Sequence, residues 1–196
     1  IARNLNQVRG VMVVGSTLLL GLSAWLTWDF MQLRAAGNTD AMVYTDSIVW
    51  FEPLNIAYSV GVDGISVVML LLSSIIVFTG TFASWQLKPM TKEYFLWFTL
   101  LSTGVYGFFI CTDLFTMFMF YEVALIPMYL LIGVWGSGNK EYAAMKLTLM
   151  LMGGSALLII GILGIYFFSG ATTMNVNEIA AMNNIKKNRI ARNAPK

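Results

Sequence analysis

The chain has 196 residues, 58% hydrophobic and 11% charged, with a mean hydropathy of +0.72, which excludes an ordinary soluble globular domain and marks a membrane protein. A net charge of +2 gives no basis for a nucleic-acid or acidic partner. With one cysteine, Cys111, and no histidine, the sequence excludes intrachain disulfides, thiolate zinc sites, iron–sulfur clusters and histidine-ligated haem, so any redox chemistry belongs to another chain.

The chain opens on Ile1 rather than Met, which suggests a piece of something longer. Arg3 and Arg9 precede an apolar run that is too long for a secretory signal and lacks a small-residue cleavage pattern. A bilayer core of about 30 Å needs roughly 20 apolar residues of helix. Five segments meet that need and predict an all-α polytopic membrane bundle over residues 1–185: Val11 to Trp28, Ile65 to Trp85, Tyr94 to Cys111, Leu114 to Trp135 and Tyr142 to Phe168. Trp28, Trp85 and Trp135 close three of them, as rings at the headgroup level do.

The polar stretch 31–62 between the first two spans is an extramembrane loop, and its partial alternation around Ile48 to Val60 predicts short strands. Asp63 and Asp113 stand where N-caps of the second and fourth helices belong, Asp113 as a solvated cap, and Asp29 ends the first span as an interfacial residue. Only CTD separates the third and fourth helices and GSGNKE the fourth and fifth, so both pairs form tight antiparallel hairpins. Gly153, Gly154, Gly161 and Gly164 give the fifth helix small faces suited to helical neighbours. With an odd number of spans, Arg3, Arg9, Lys88, Lys92 and Lys140 fall on one side and Arg34 on the other, so the positive-inside rule starts the chain in the cytoplasm. The basic tail 186–196 contradicts that rule unless it is short-ranged, foreign to the native sequence or a product of truncation.

One carboxylate interrupts the fourth span. In MFMFYEVALIPMYLLIG, Glu122 lies eight residues beyond Leu114, roughly 12 Å in, too deep to snorkel. An acid at that depth costs on the order of 3 kcal/mol on insertion scales, so it faces protein or water and is either neutral or paired with a cation. Burial favours the neutral form and a nearby ammonium the ionised one, so a movable cation would make Glu122 alternately load and release a proton. Pro127 removes a helical hydrogen bond and clashes with the Val123 carbonyl, a device that would admit water beside the acid. Lys146, about a turn into the fifth helix, is the one cation inside any span and the candidate partner. The competing readings are plain: Glu122 as interhelical glue, Pro127 as a tolerated kink and Lys146 as a snorkelling interfacial lysine.

Three stretches then carry a resemblance: GVDGIS (Gly61 to Ser66), CTDLFTMFMFYEVALIPMYLLIGVWG (Cys111 to Gly136) and KEYAAMKLTLMLMGGSALL (Lys140 to Leu158). From about Val11 to Ile185 the chain resembles the antiporter-like subunit M, or subunit 4, of proton-pumping NADH:quinone oxidoreductase, respiratory complex I. The resemblance implies that the five helices correspond to helices two to six of a fold of about fourteen, built as two inverted repeats. It implies that Glu122 is the key carboxylate of a proton channel and Lys146 a coupling charge, with Leu147 where the family often has Phe. It further implies no cofactor on this chain, quinone reduction elsewhere in the complex, partnership with other membrane subunits including neighbouring antiporter-like ones, and a bacterial inner membrane location. A broken seventh helix with a central lysine and the second repeat have no counterpart here, and half of one repeat closes no path across the membrane. Related sodium/proton antiporter subunits share the acid but usually lack the IPM at Ile126 to Met128, which ranks them second, beside a non-conducting structural subunit.

Overall fold

The computed structural model describes residues 5–52, 56–85, 91–169 and 173–182. The basic tail 186–196, Arg3 and Lys88 lie outside them. The order is helix α1 (Leu5–Ala35), strands β1 (Val43–Phe51) and β2 (Ile56–Val62), and helices α2 (Gly64–Ala83), α3 (Thr91–Ile110), α4 (Leu114–Trp135) and α5 (Lys140–Ser169). The helices form a bundle in which α1 packs on α2, α3 on α4 and α4 on α5.

Four of these helices, α1, α2, α4 and α5, are long and apolar enough to cross a membrane. The fifth expected span, α3, has 20 residues, the length of a crossing, but Lys92, Glu93 and its Tyr, Trp, Ser and Thr residues lower its hydropathy. The first helix overruns its expected end at Trp28 by seven residues. With 31 residues it is about 46 Å long, half as long again as a hydrocarbon core of about 30 Å. Its far end is held where Phe30 packs on Val62 and Val67, while the Arg34 guanidinium stacks 4.9 Å from the Phe30 ring.

The extramembrane stretch forms an antiparallel hairpin of β1 and β2, with register irregularities between Val43 and Asp46 and between Val49 and Phe51. Tyr44, at the first of these, has φ +56° and donates a hydrogen bond to the Asp29 carboxylate, tying the hairpin to α1. The expected alternation is not expressed as burial on β1, which is exposed almost throughout, because only β2 lies on the bundle. The Thr112 N–H donates to the Ser59 carbonyl at 2.9 Å and the Thr116 hydroxyl to the Ala57 carbonyl at 3.2 Å. Gly61 leaves just enough room there: a Cβ would lie 3.0 Å from Thr112 Cγ2.

Asp63 caps α2, accepting from the Ser66 N–H at 2.7 Å. Asp113 caps α4, its Oδ1 accepting from the N–H groups of Phe115 and Thr116 at 3.1 and 3.0 Å. The expectation that Asp113 is solvated is wrong: it is 1% exposed. The segment 173–176 crosses the α3–α4 turn and covers it, through hydrogen bonds from Leu114 N–H to the Met174 carbonyl and from Val176 N–H to the Thr112 carbonyl, both 3.0 Å. Met174 plugs the turn by packing with Ile56 and Ile162. A buried cap has no water to replace its bonds, so Asp113→Ala is expected to lower the stability of the full-length protein by about 2 kcal/mol, the upper end of the range for caps. Asp63→Ala, at a part-buried cap, is expected to cost about half as much, and thermal unfolding of the two variants side by side checks the order.

The α3–α4 hairpin is the closest seam. A Cβ on Gly104 would lie 2.8 Å from the Ala124 Cβ and 3.1 Å from its backbone nitrogen, and one on Gly107 2.2 Å from the Phe120 ring. On the other side of α3, the half-buried Tyr106 donates to the Ser74 hydroxyl at 3.0 Å, and the buried Ser74 donates to the Leu70 carbonyl, so two hydroxyls join α2 to α3.

Candidate functional site

Glu122 sits on α4 two residues from Ala124, where the α3–α4 seam holds the helix rigidly. Its carboxylate is turned the other way, toward α5. It lines an open groove of about 410 Å³ with Met119, Val123, Ile126 and Tyr129 of α4 and with Thr148 and Met152 of α5. Carboxylate oxygen Oε1 is buried and has no hydrogen-bond partner among the described residues. Such an oxygen is costly to leave unmatched in an apolar wall, which is the property a site for a proton or cation would have.

Pro127 is buried within α4, which continues through it to Trp135. Because Pro127 has no N–H, the Val123 carbonyl loses its helical donor, and Val123 lines the same groove as the acid. The proline therefore adds a second acceptor beside the carboxylate rather than ending the helix.

The structure does not bring Lys146 to Glu122. Lys146 is exposed on α5, with its ammonium 5.8 Å from the centroid of the Tyr142 ring. The reason is helical phase: Thr148 faces Glu122, and two residues turn a helix by roughly 200°, which sends Lys146 to the opposite face. The chain thus places the expected acid and the expected cation on adjacent helices but points them apart.

A polar cluster at the α3–α4 turn had no signal in the sequence beyond the cap. The second oxygen of Asp113, Oδ2, and the Thr173 hydroxyl are both buried without a partner. At the same turn Thr45, Ser59, Thr112, Asn175, Asn177 and Glu178 line a polar pocket of about 320 Å³ drawn from β1, β2, the turn itself and the segment after α5. No group of three metal-ligating side chains occurs among the described residues.

Cys111, at the head of this turn, is 7% exposed. Burial, and secondarily the Asp113 carboxylate, pushes its thiol from the usual 9.0 up to about 11. Between those values the unfolded chain ionises before the folded one does, so the folded state loses stability as pH rises through that window. At neutral pH the thiol is protonated and covered. Maleimide is expected to leave Cys111 unlabelled in intact membranes and to label it after denaturation in SDS, read by peptide mass; labelling of the native protein at the same rate would contradict the burial.

Comparison with known proteins gives a consistent result. Residues 111–194 match the family profile described as NADH:quinone oxidoreductase/Mrp antiporter, transmembrane. NAD(P)H-quinone oxidoreductase chain 4 2 of Thermosynechococcus vestitus is 29% identical over 176 residues, 90% of this chain and 32% of that protein. NADH-quinone oxidoreductase subunit M of Rhodobacter capsulatus is 33% identical over 131 residues, 67% of this chain and 25% of that protein. The fold matches a chain of respiratory complex I from Thermus thermophilus with a TM-score of 0.75 at 22% identity, covering 89% of this chain and 35% of that one. The chain spans between a quarter and about a third of the length of the relatives it matches. The expected resemblance to subunit M therefore stands in sequence, and the fold is that of a chain of a respiratory complex I.

Proposed function

We propose that this chain, similar along most of its length to the antiporter-like subunit M or chain 4 of NADH:quinone oxidoreductases, takes part in proton translocation across a bacterial cell membrane, with Glu122 as the group that loads and releases the proton. The observation that carries this reading is the buried Oε1 of Glu122, unpartnered in an open groove inside an otherwise uncharged span. A proton satisfies that oxygen by neutralising it, and a cation drawn near would expel the proton again. Lys146 is the coupling charge in this scheme. From its present place on Tyr142 it acts at longer range, or after turning toward the groove, because a charge moved a few ångströms in a low-dielectric medium changes the local potential strongly.

Energy would come from redox chemistry in partner chains, with NADH oxidised and quinone reduced there and no cofactor on this chain. Other membrane subunits, neighbouring antiporter-like ones among them, would complete the path. Arg9, Lys92 and Lys140 would lie on the cytoplasmic side and Arg34 on the other. A sodium/proton antiporter subunit is the second reading, favoured by a family profile that spans both groups.

Separating detergent-solubilised membranes on a native gel and staining for NADH oxidation tests the assignment. Activity in the band that contains peptides of this chain is the expected result. An inactive band, with sodium-dependent proton exchange in vesicles, would replace it by the antiporter reading.

A further inference from the structure

We propose that the groove between α1 and α3 is a binding site for an anionic phospholipid, with one acyl chain along the groove and the phosphate at Arg9 and Lys92. The groove has a volume of about 420 Å³; Val8, Val11 and Met12 form one wall, and the side of α3 from Lys92 to Thr103 forms the other. A second hollow of about 260 Å³ shares Met12 and Thr99 with it and continues to Leu19 and Tyr106. Phe95, 1% exposed, closes the floor, while Val11 and Leu96 stand open at 66% and 61%.

Dimensions choose the occupant. From Lys92 to Thr103 the helical rise makes the first hollow about 16 Å long, close to the roughly 15 Å of one leaflet's hydrocarbon. Its open, wholly apolar lining beyond Lys92 and Thr residues suits a hydrocarbon chain laid along it. The wall is open at Gly15, where a Cβ would meet nothing within 4 Å.

Charge chooses the headgroup. Lys92 lines the groove mouth, and Arg9 follows Val8 at the same end. The Arg9 guanidinium stands 5.4 Å from the centroid of the Trp85 ring, and its Nε is buried with no acceptor among the described residues. An incompletely satisfied guanidinium one residue from the groove lining on α1, with a lysine in the lining of α3, suits a phosphate, to which arginine can donate two parallel hydrogen bonds. Glu93, next to Lys92, is exposed and does not line the groove.

The test uses the full-length protein in its native assembly, reconstituted in vesicles doped with phosphatidylglycerol or phosphatidylcholine carrying a photoreactive diazirine in the acyl chain, with labelled peptides read by mass spectrometry. We expect labelling of Leu96 and Leu100 roughly thirtyfold stronger from phosphatidylglycerol, the fold-change for two basic residues at about 1 kcal/mol each at a membrane surface. Arg9→Gln with Lys92→Gln is expected to reduce it to the phosphatidylcholine level, and Gly15→Leu to block the deeper hollow without touching the charges. Excess inorganic phosphate is expected not to compete. Equal labelling by the two lipids, no labelling of α3 in the intact assembly, or full competition by inorganic phosphate would each overturn the proposal.

Discussion

Gly104→Val is expected to prevent α3 and α4 from closing and to remove most of the full-length protein from its assembly. The added Cβ alone would lie 2.8 Å from the Ala124 Cβ and 3.1 Å from the Ala124 Cα and nitrogen, so backbone rather than a pliable side chain stands in the way. Overpacking a core typically costs 1–3 kcal/mol, and a clash with backbone lies at or above that range, about 3 kcal/mol. Gly107→Val meets the Phe120 ring at 2.2 Å and is expected to act in the same direction, with part of the cost relieved by ring movement. Gly153→Ala on α5 is the control: among the described residues nothing lies within 4 Å of the added methyl group, and replacing a helical glycine gains up to about 1 kcal/mol of helix propensity. Native-gel abundance of the assembly reports all three. A Gly104→Val assembly as abundant as the parent would mean that the seam is looser than its geometry.

Glu122→Gln is expected to leave the assembly intact and to remove most of its proton pumping per NADH oxidised. The side chain keeps its shape and loses only the ability to ionise. Because Oε1 makes no hydrogen bond, the substitution breaks none there, and a stability change within about 0.5 kcal/mol is expected. That separates the proton-carrying role from the glue role, in which the same change would lower assembly yield and leave pumping in the surviving complex untouched. Lys146→Ala is expected to cost less than Glu122→Gln, since its ammonium rests on Tyr142 and forms no contact with the acid that the substitution could break. Acidification of vesicles, normalised to NADH oxidation, measures both.

The helical core and its acid were legible because the signals were local. DLFT announced the α4 cap, apolar runs announced the spans, and a single carboxylate in one of them needed no partner to be noticed. What stayed hidden depended on long-range placement. Burial of Asp113 comes from residues 173–176, some sixty positions away, in a stretch whose polar composition reads as loop. The outward turn of Lys146 was equally invisible: α5 is apolar around nearly its whole circumference, so no amphipathic stripe told which face meets α4. The glycines show the same limit. Gly104 and Gly107 make the close seam, whereas Gly153, Gly154, Gly161 and Gly164, which the sequence marked as packing faces, meet nothing within 4 Å among the described residues.

The most direct test is to see the proton on Glu122. Infrared difference spectra of the reconstituted full-length assembly, recorded before and after adding NADH, report protonated carboxyl groups through their C=O stretch. A carboxyl band that changes on energisation and is missing from the Glu122→Gln variant is the expected result. Identical difference spectra for the parent and the variant would contradict it and leave Glu122 as a structural residue.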